Sequence, residues 1–215
     1  MKIQVKEHTR EEAPLFFQNI PELDIEAKRE SRAKIIIRDI KKLNLVIKKN
    51  AEITLIEEGS GTTKINLEEK GAKILYLSSI YAKEGEIKKE IEIEHNASET
   101  ESTIKSKNVI TNNARVYFIP KVKIRKNTEN TKAHQKTETL LLSKEARIFT
   151  IPIVEVESEK TECSHGSTIT RIDEEKLFYL EARGIESDEA KQIIIDGFLE
   201  TINKHRRKED ADLEL

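Results

Sequence analysis

The chain has one cysteine, one methionine and no tryptophan, and aromatic residues make up 5% of its 215 positions. A lone cysteine excludes an internal disulfide and any all-cysteine metal centre within one copy. The scarcity of rings leaves the core to aliphatic side chains. No stretch approaches the length of a membrane span, and Met1-Lys2-Ile3-Gln4-Val5 lacks a signal-type apolar core, so a cytoplasmic protein is expected. Neither charge prevails: 38 Lys and Arg stand against 40 Asp and Glu, and the net charge of −2 argues against a nucleic-acid partner. The short cluster Lys204-His205-Arg206-Arg207-Lys208 reads as cations closing a helix against its dipole. A Gly-rich phosphate loop, Gly-x-Ser-x-Gly and His-Glu-x-x-His are all missing, so the chain is not expected to bind ATP.

What is present is alternation. The length fits one domain, with or without a small appendage. Residues 1–30 hold short apolar patches broken by prolines, Pro14-Leu15-Phe16-Phe17 and Ile20-Pro21-Glu22-Leu23, and read as an irregular arm or cap. A loose repeat then begins. Ala33-Lys34-Ile35, Ala51-Glu52-Ile53, Ala72-Lys73-Ile74, Ala114-Arg115-Val116 and Ala146-Arg147-Ile148 each put a small residue and a charge before a β-branched residue. Their spacing is roughly 20 residues, with one gap about twice that and one near 30. Period-2 runs such as Ile87 to Ile93 and Val116 to Ile124 say strand. Repeats of this length with a strand in each favour a parallel β-helix over an antiparallel sandwich, whose hairpins would prefer Asn-Gly or Asp-Gly turns that the chain lacks. The seven glycines are few for solenoid corners.

After His165 the period changes. Asp173 is suited to cap a helix with Glu174 and Glu175 in its first turn, and Gly184 to end it at C′. Ser187-Asp188-Glu189 opens a second helix, whose apolar stripe would be Ala190, Ile193, Ile194, Phe198, Thr201 and Ile202. The division expected is an arm at 1–30, a β-helix at 31–170, a helical hairpin at 171–205 and a frayed tail at 206–215. The hairpin is expected to pack on the end of the sheet or meet a partner.

Cys163 and His165 are two residues apart, so in a strand they share a face. A thiolate and an imidazole can supply two ligands to iron, zinc or an iron–sulfur cluster, and a second copy across a twofold axis could supply two more. The blander reading makes Cys163 a small buried hydrophobe and His165 a hydrogen-bonded turn residue. His95 and His134 could approach Cys163 once rungs stack, although each alone reads as a turn or groove residue. A carbohydrate-active β-helix would need recurring aspartate pairs on one face and stacking aromatics; the first are not found and the second are scarce.

Several runs together resemble the SufB/SufD family: Ala133-His134-Gln135, Leu140-Leu141-Leu142-Ser143, Cys163-Ser164-His165-Gly166-Ser167-Thr168 and Leu177-Phe178-Tyr179-Leu180-Glu181-Ala182-Arg183-Gly184-Ile185, with Glu189-Ala190 and Gly197-Phe198 beyond. The likeness covers residues 90 to 203. It implies a mainly β chain, a right-handed parallel β-helix with a small C-terminal helical domain, acting as a non-enzymatic scaffold in iron–sulfur cluster assembly by the SUF system. It further implies pairing through the β-helix with a second copy or a SufB/SufD paralogue, and docking of a SufC-like ABC ATPase on the C-terminal helices. Phe178, Tyr179, Arg183 and Phe198 would then be partner-binding residues. His165 matches the histidine implicated on SufD-type subunits. Where SufB-type subunits carry a cysteine in the Phe-Tyr-x segment, this chain has Leu180. The expectation is a short-form homodimer in which Cys163 and His165 of two copies hold a transient cluster. The alternative is a metal-free, SufD-like interaction subunit supporting a ligand-bearing partner.

Overall fold

The computed structural model describes residues 1–9 and 13–207, and the expected frayed tail lies almost wholly outside them. Fifteen strands form two sheets in which every strand pair is parallel. One sheet runs β1 (Lys2–Val5), β3 (Glu22–Ala27), β5 (Lys42–Ile47), β7 (Gly61–Leu67), β9 (Glu86–His95), β11 (Arg115–Ile124) and then β13 (Arg147–Thr150), with β14 (Ile153–Val156) also on β11. The other runs β2 (Leu15–Gln18), β4 (Arg32–Arg38), β6 (Glu52–Glu58), β8 (Lys73–Ala82), β10 (Glu101–Ile110), β12 (Thr131–Leu141) and β15 (Thr161–Arg171). Apart from β13 and β14, which share one sheet, successive strands alternate between the sheets, so the chain coils upward as a parallel β-helix.

Residues 1–30 depart from expectation. They are not an irregular arm but supply β1, β2 and β3, in register with the strands above. Pro14 and Pro21 each fall just ahead of a strand, where a missing N–H costs no ladder bond.

The rungs widen along the stack. Stacked partners lie 20 residues apart at Arg38 and Glu58, 28 at Thr62 and Glu90, and 31 at Asn108 and Thr139. Inward columns of isoleucine and leucine fill the narrow rungs, with Leu23, Leu43, Leu45, Ile47 and Leu55 fully buried. On the outside, charges alternate in sign up one column. Arg32, Glu52, Lys73, Glu101, Lys132 and Glu162 are consecutive register partners, and Arg32–Glu52, Lys73–Glu101 and Lys132–Glu162 lie at 3.0, 3.6 and 3.8 Å.

The corners explain the scarcity of glycine. His8, Glu30, Asn50, Gly71, Glu99 and Asn130 all take positive φ, and each donates its backbone N–H to the carbonyl of the next rung, at Arg29, Lys49, Lys70, Ser98, Glu129 and Lys160. Asparagine tolerates this left-handed conformation, whereas Glu30 and Glu99 adopt it at a cost. Gly61 has no substitute: at φ +120° an added Cβ would lie 2.5 Å from the Ile40 carbonyl oxygen.

Two helices follow. α1 (Glu174–Glu181) is capped by Asp173, whose Oδ1 accepts from the backbone N–H of Glu175 and Lys176 at 3.1 and 3.2 Å. Its C-cap is Ala182, so Gly184, at φ +85°, stands one residue beyond the expected C′ position. α2 (Ser187–Arg207) lies across the outer face of the second sheet instead of covering the end of the stack. Ile202 packs with Ile36, Ile56 and Leu77, and Ile195 with Val109 and Leu140. The buried stripe is therefore turned from the expected one: Ile195 is inside, while Ile193 and Thr201 are exposed.

Candidate functional site at the open end of the stack

The last rung has a neighbour on one side only. β15 pairs with β12 alone, and β13 and β14 pair with β11 alone. With α2 lying on the outer face, the edges of both sheets are left unpaired among the described residues. Cys163 and His165 lie on β15, in register with Ala133 and Gln135, which point into the core. Alternation therefore sends both toward the interior side of the final rung. Cys163 is half-buried against the main core, and His165 is exposed. Burial pushes the Cys163 thiol up, so the isolated chain holds it protonated at neutral pH.

The other two histidines do not join them. His134 is in register with Ser164, so it lies on the outer face, its Nδ1 2.8 Å from Ser164 Oγ and its Nε2 3.7 Å from a Glu162 oxygen. His95 is fully buried between Leu67 and Ile124, and both ring nitrogens are already engaged, by Thr100 Oγ1 and Ser102 Oγ at 2.8 Å each. Burial lowers its pKa to about 4, so it is a neutral core residue and not a ligand. No group of three or more His, Cys, Asp or Glu side chains suited to a metal ion occurs among the described residues. One copy thus offers two donors at this end.

Around them the wall is free of charge. Residues from Cys163 to Thr170 on β15, and from Ile148 to Val154 on the opposite sheet, carry no formal charge in a chain of which 36% is charged. One inward column of large apolar and aromatic residues turns into an amide and an imidazole at this end. The column Ile35, Leu55, Tyr76 and Ile104 continues as Gln135 and then His165. A neighbouring column runs Glu57, Ser78, Ser106, Thr137, Ser167.

The sequence reading missed a buried ionic cluster deeper in the stack. Glu57 accepts from Lys89, from Tyr76 at 2.5 Å and from Thr63 at 2.7 Å, and Lys89 donates to Thr63 at 3.1 Å. Its signal was there: Glu57 follows Ile53 and Leu55, and Lys89 precedes Ile91 and Ile93, at the same inward parity.

The helical hairpin presents a second surface. Phe178 is 72% exposed and Tyr179 57%, with the Arg183 guanidinium 4.8 Å over the Tyr179 ring. Tyr179, Leu180 and Ile194 line a groove between the helices. Phe198 does not belong to this surface. It is half-buried against the Val109, Leu140 and Ile195 cluster under the Lys107 ammonium, 4.5 Å from its ring, so it is a packing residue.

Comparison with known proteins agrees with this architecture. Residues 59–198 match the family described as SUF system FeS cluster assembly, SufBD core domain. Iron-sulfur cluster assembly SufBD family proteins of Staphylococcus epidermidis (strain ATCC 12228 / FDA PCI 1200) and Staphylococcus aureus (strain USA300) are each 32% identical over 142 residues. That alignment covers 66% of this chain, and the chain spans only 30% of the length of these relatives. No helix among the described residues is long and apolar enough to cross a membrane. With residues 59–198 matched to that core domain, the chain belongs to the SufBD family of iron–sulfur cluster assembly proteins.

Proposed function

We propose that the chain is a scaffold on which an iron–sulfur cluster is built as cargo between two copies joined at their open ends. The observation that carries this reading is the pair of uncharged stretches on the final rung, Cys163 to Thr170 and Ile148 to Val154, with two unpaired sheet edges and the only thiol of the chain beside an imidazole. Exposed edges are ready to pair with another chain, and natural proteins usually guard them with lysine or proline. β15 has neither. A twofold contact would extend the sheets and bring two thiols and two imidazoles together, four donors where one copy has two. A ligating thiol must lose its proton, and bound iron would reverse the effect of burial on Cys163. A SufC-like ATPase is the second partner, docking on Phe178, Tyr179 and Arg183 at the exposed hairpin. Apolar rings this exposed, beside a cation, are what an interface core uses.

Anaerobic reconstitution of the full chain with ferrous iron and sulfide tests the scaffold reading. A visible-absorbing species should form on a dimer and be lost in both Cys163→Ala and His165→Ala with the melting temperature unchanged. A colourless dimer that still captures the ATPase would instead establish the metal-free interaction subunit. Leu180, where SufB-type subunits carry a cysteine, favours that second reading.

A further inference from the structure

Four buried side-chain polar atoms have no hydrogen-bond partner among the described residues, and all four lie at one end of the molecule. They are both amide atoms of Gln135, the Thr131 hydroxyl and the Thr150 hydroxyl. Gln135 and Thr131 are on β12, one strand below Cys163 and His165, and Thr150 is on the facing sheet. Elsewhere in the interior, polar groups are paired. Glu57 is held by three donors, His95 by two hydroxyls, and Asn108 donates to Thr139 at 3.4 Å. Gln135 is only 4% exposed, and a buried amide left without a protein partner is costly to the fold. In the column below it stand Ile35, Leu55, Tyr76 and Ile104, three of them apolar and the Tyr76 hydroxyl satisfied by Glu57.

Position gives the amide something to do. Gln135 is the register partner of His165 and shares its inward face. Adjacent strands are about 4.8 Å apart, within reach of a glutamine side chain. A soft, anionic sulfide set against Cys163 and His165 would meet the Gln135 N–H from beneath. N–H donors to cluster sulfur stabilise the more negative, reduced state and slow loss of the cargo.

We propose that the Gln135 carboxamide is the floor of the cargo site, donating a hydrogen bond to a sulfide of the iron–sulfur species that Cys163 and His165 hold. This rests on the scaffold reading above.

The test compares the full chain with Gln135→Met and Gln135→Leu, both of similar volume and without the amide. Before iron is added, each variant should melt at or above the wild-type temperature, because a buried unpaired group has been removed. A fall in melting temperature in both would mean that the amide is satisfied within the fold, which overturns the proposal. After reconstitution with iron and sulfide, the variants should lose colour to a chelator about fivefold faster than wild type, the factor one net hydrogen bond supplies. Their reduction potential should move negative. Variants with wild-type bands, potential and decay overturn the proposal and leave the scaffold reading standing. A wild-type chain that stays colourless ends both.

Discussion

Lys89 and Glu57 form an ion pair inside the β-helix, with the lysine side chain wholly buried and the glutamate 2% exposed. They sit where the stack changes width: β6 has seven residues and β8 above it ten, and Lys89 is in register with Gly61 at the start of β7. Breaking such a pair leaves one charge stranded. Lys89→Met should therefore cost about 3–5 kcal/mol in urea unfolding. Because the Tyr76 and Thr63 hydroxyls also point at Glu57, Glu57→Leu with Lys89→Met should recover only part of the loss, and adding Tyr76→Phe should recover more. A single Lys89→Met with wild-type stability would show that the pair holds nothing.

His95 gives the stack an acid-sensitive element. Its folded pKa is about 4 against an ordinary 6.5, so between those values the unfolded chain binds a proton that the folded chain refuses. Stability should therefore fall as pH drops from 6.5 to 4, by about 3 kcal/mol for this group. The urea midpoint of His95→Gln should fall less steeply across the same window. Parallel curves for the two proteins would remove His95 as the cause.

The two exposed rings of α1 and the half-buried ring of α2 should separate cleanly. Phe178→Ala and Tyr179→Ala should leave unfolding unchanged and abolish capture of a SufC-like ATPase. Phe198→Ala should cost about 2 kcal/mol, below the full penalty of a completely buried phenylalanine. Loss of stability in Phe178→Ala would place that ring in the fold and not in the interface.

At the corners, Glu30 carries left-handed backbone strain at φ 56°. Glu30→Gly should stabilise the chain by roughly 0.5–1 kcal/mol, since its surface contact with His8 contributes little. Asn50→Ala, at φ 53°, should do the opposite. Equal thermal melts for the two variants would contradict this account of the corners.

Much of this architecture can be read from the chain because alternation survives burial. Ile53, Leu55 and Val116, Phe118 mark strands whatever surrounds them, and the Asp173 cap is a local event. Other features are not local. Pro14 and Pro21 hide two rungs because they resemble breaks until neighbouring strands show that no ladder bond is lost. Corners built on Glu30, Glu99 and Asn50 are silent, since only the rung above requires their left-handed turn. Which side of α2 is buried depends on the sheet beneath it, so Ile195 could not be chosen over Ile193 by spacing alone. Cys163 and His165 were legible as a pair. That His134 would point the other way followed only once its register with Ser164 was fixed.

A coil of rungs is held together by neighbours, and β15 has only one. Opening it breaks a single ladder, whereas opening β8 or β10 breaks two. Amide exchange on β15, where the thiol and the imidazole sit, should accordingly be faster than on β8 or β10. Joining another chain there would quench that breathing, so cargo and contact would tighten together.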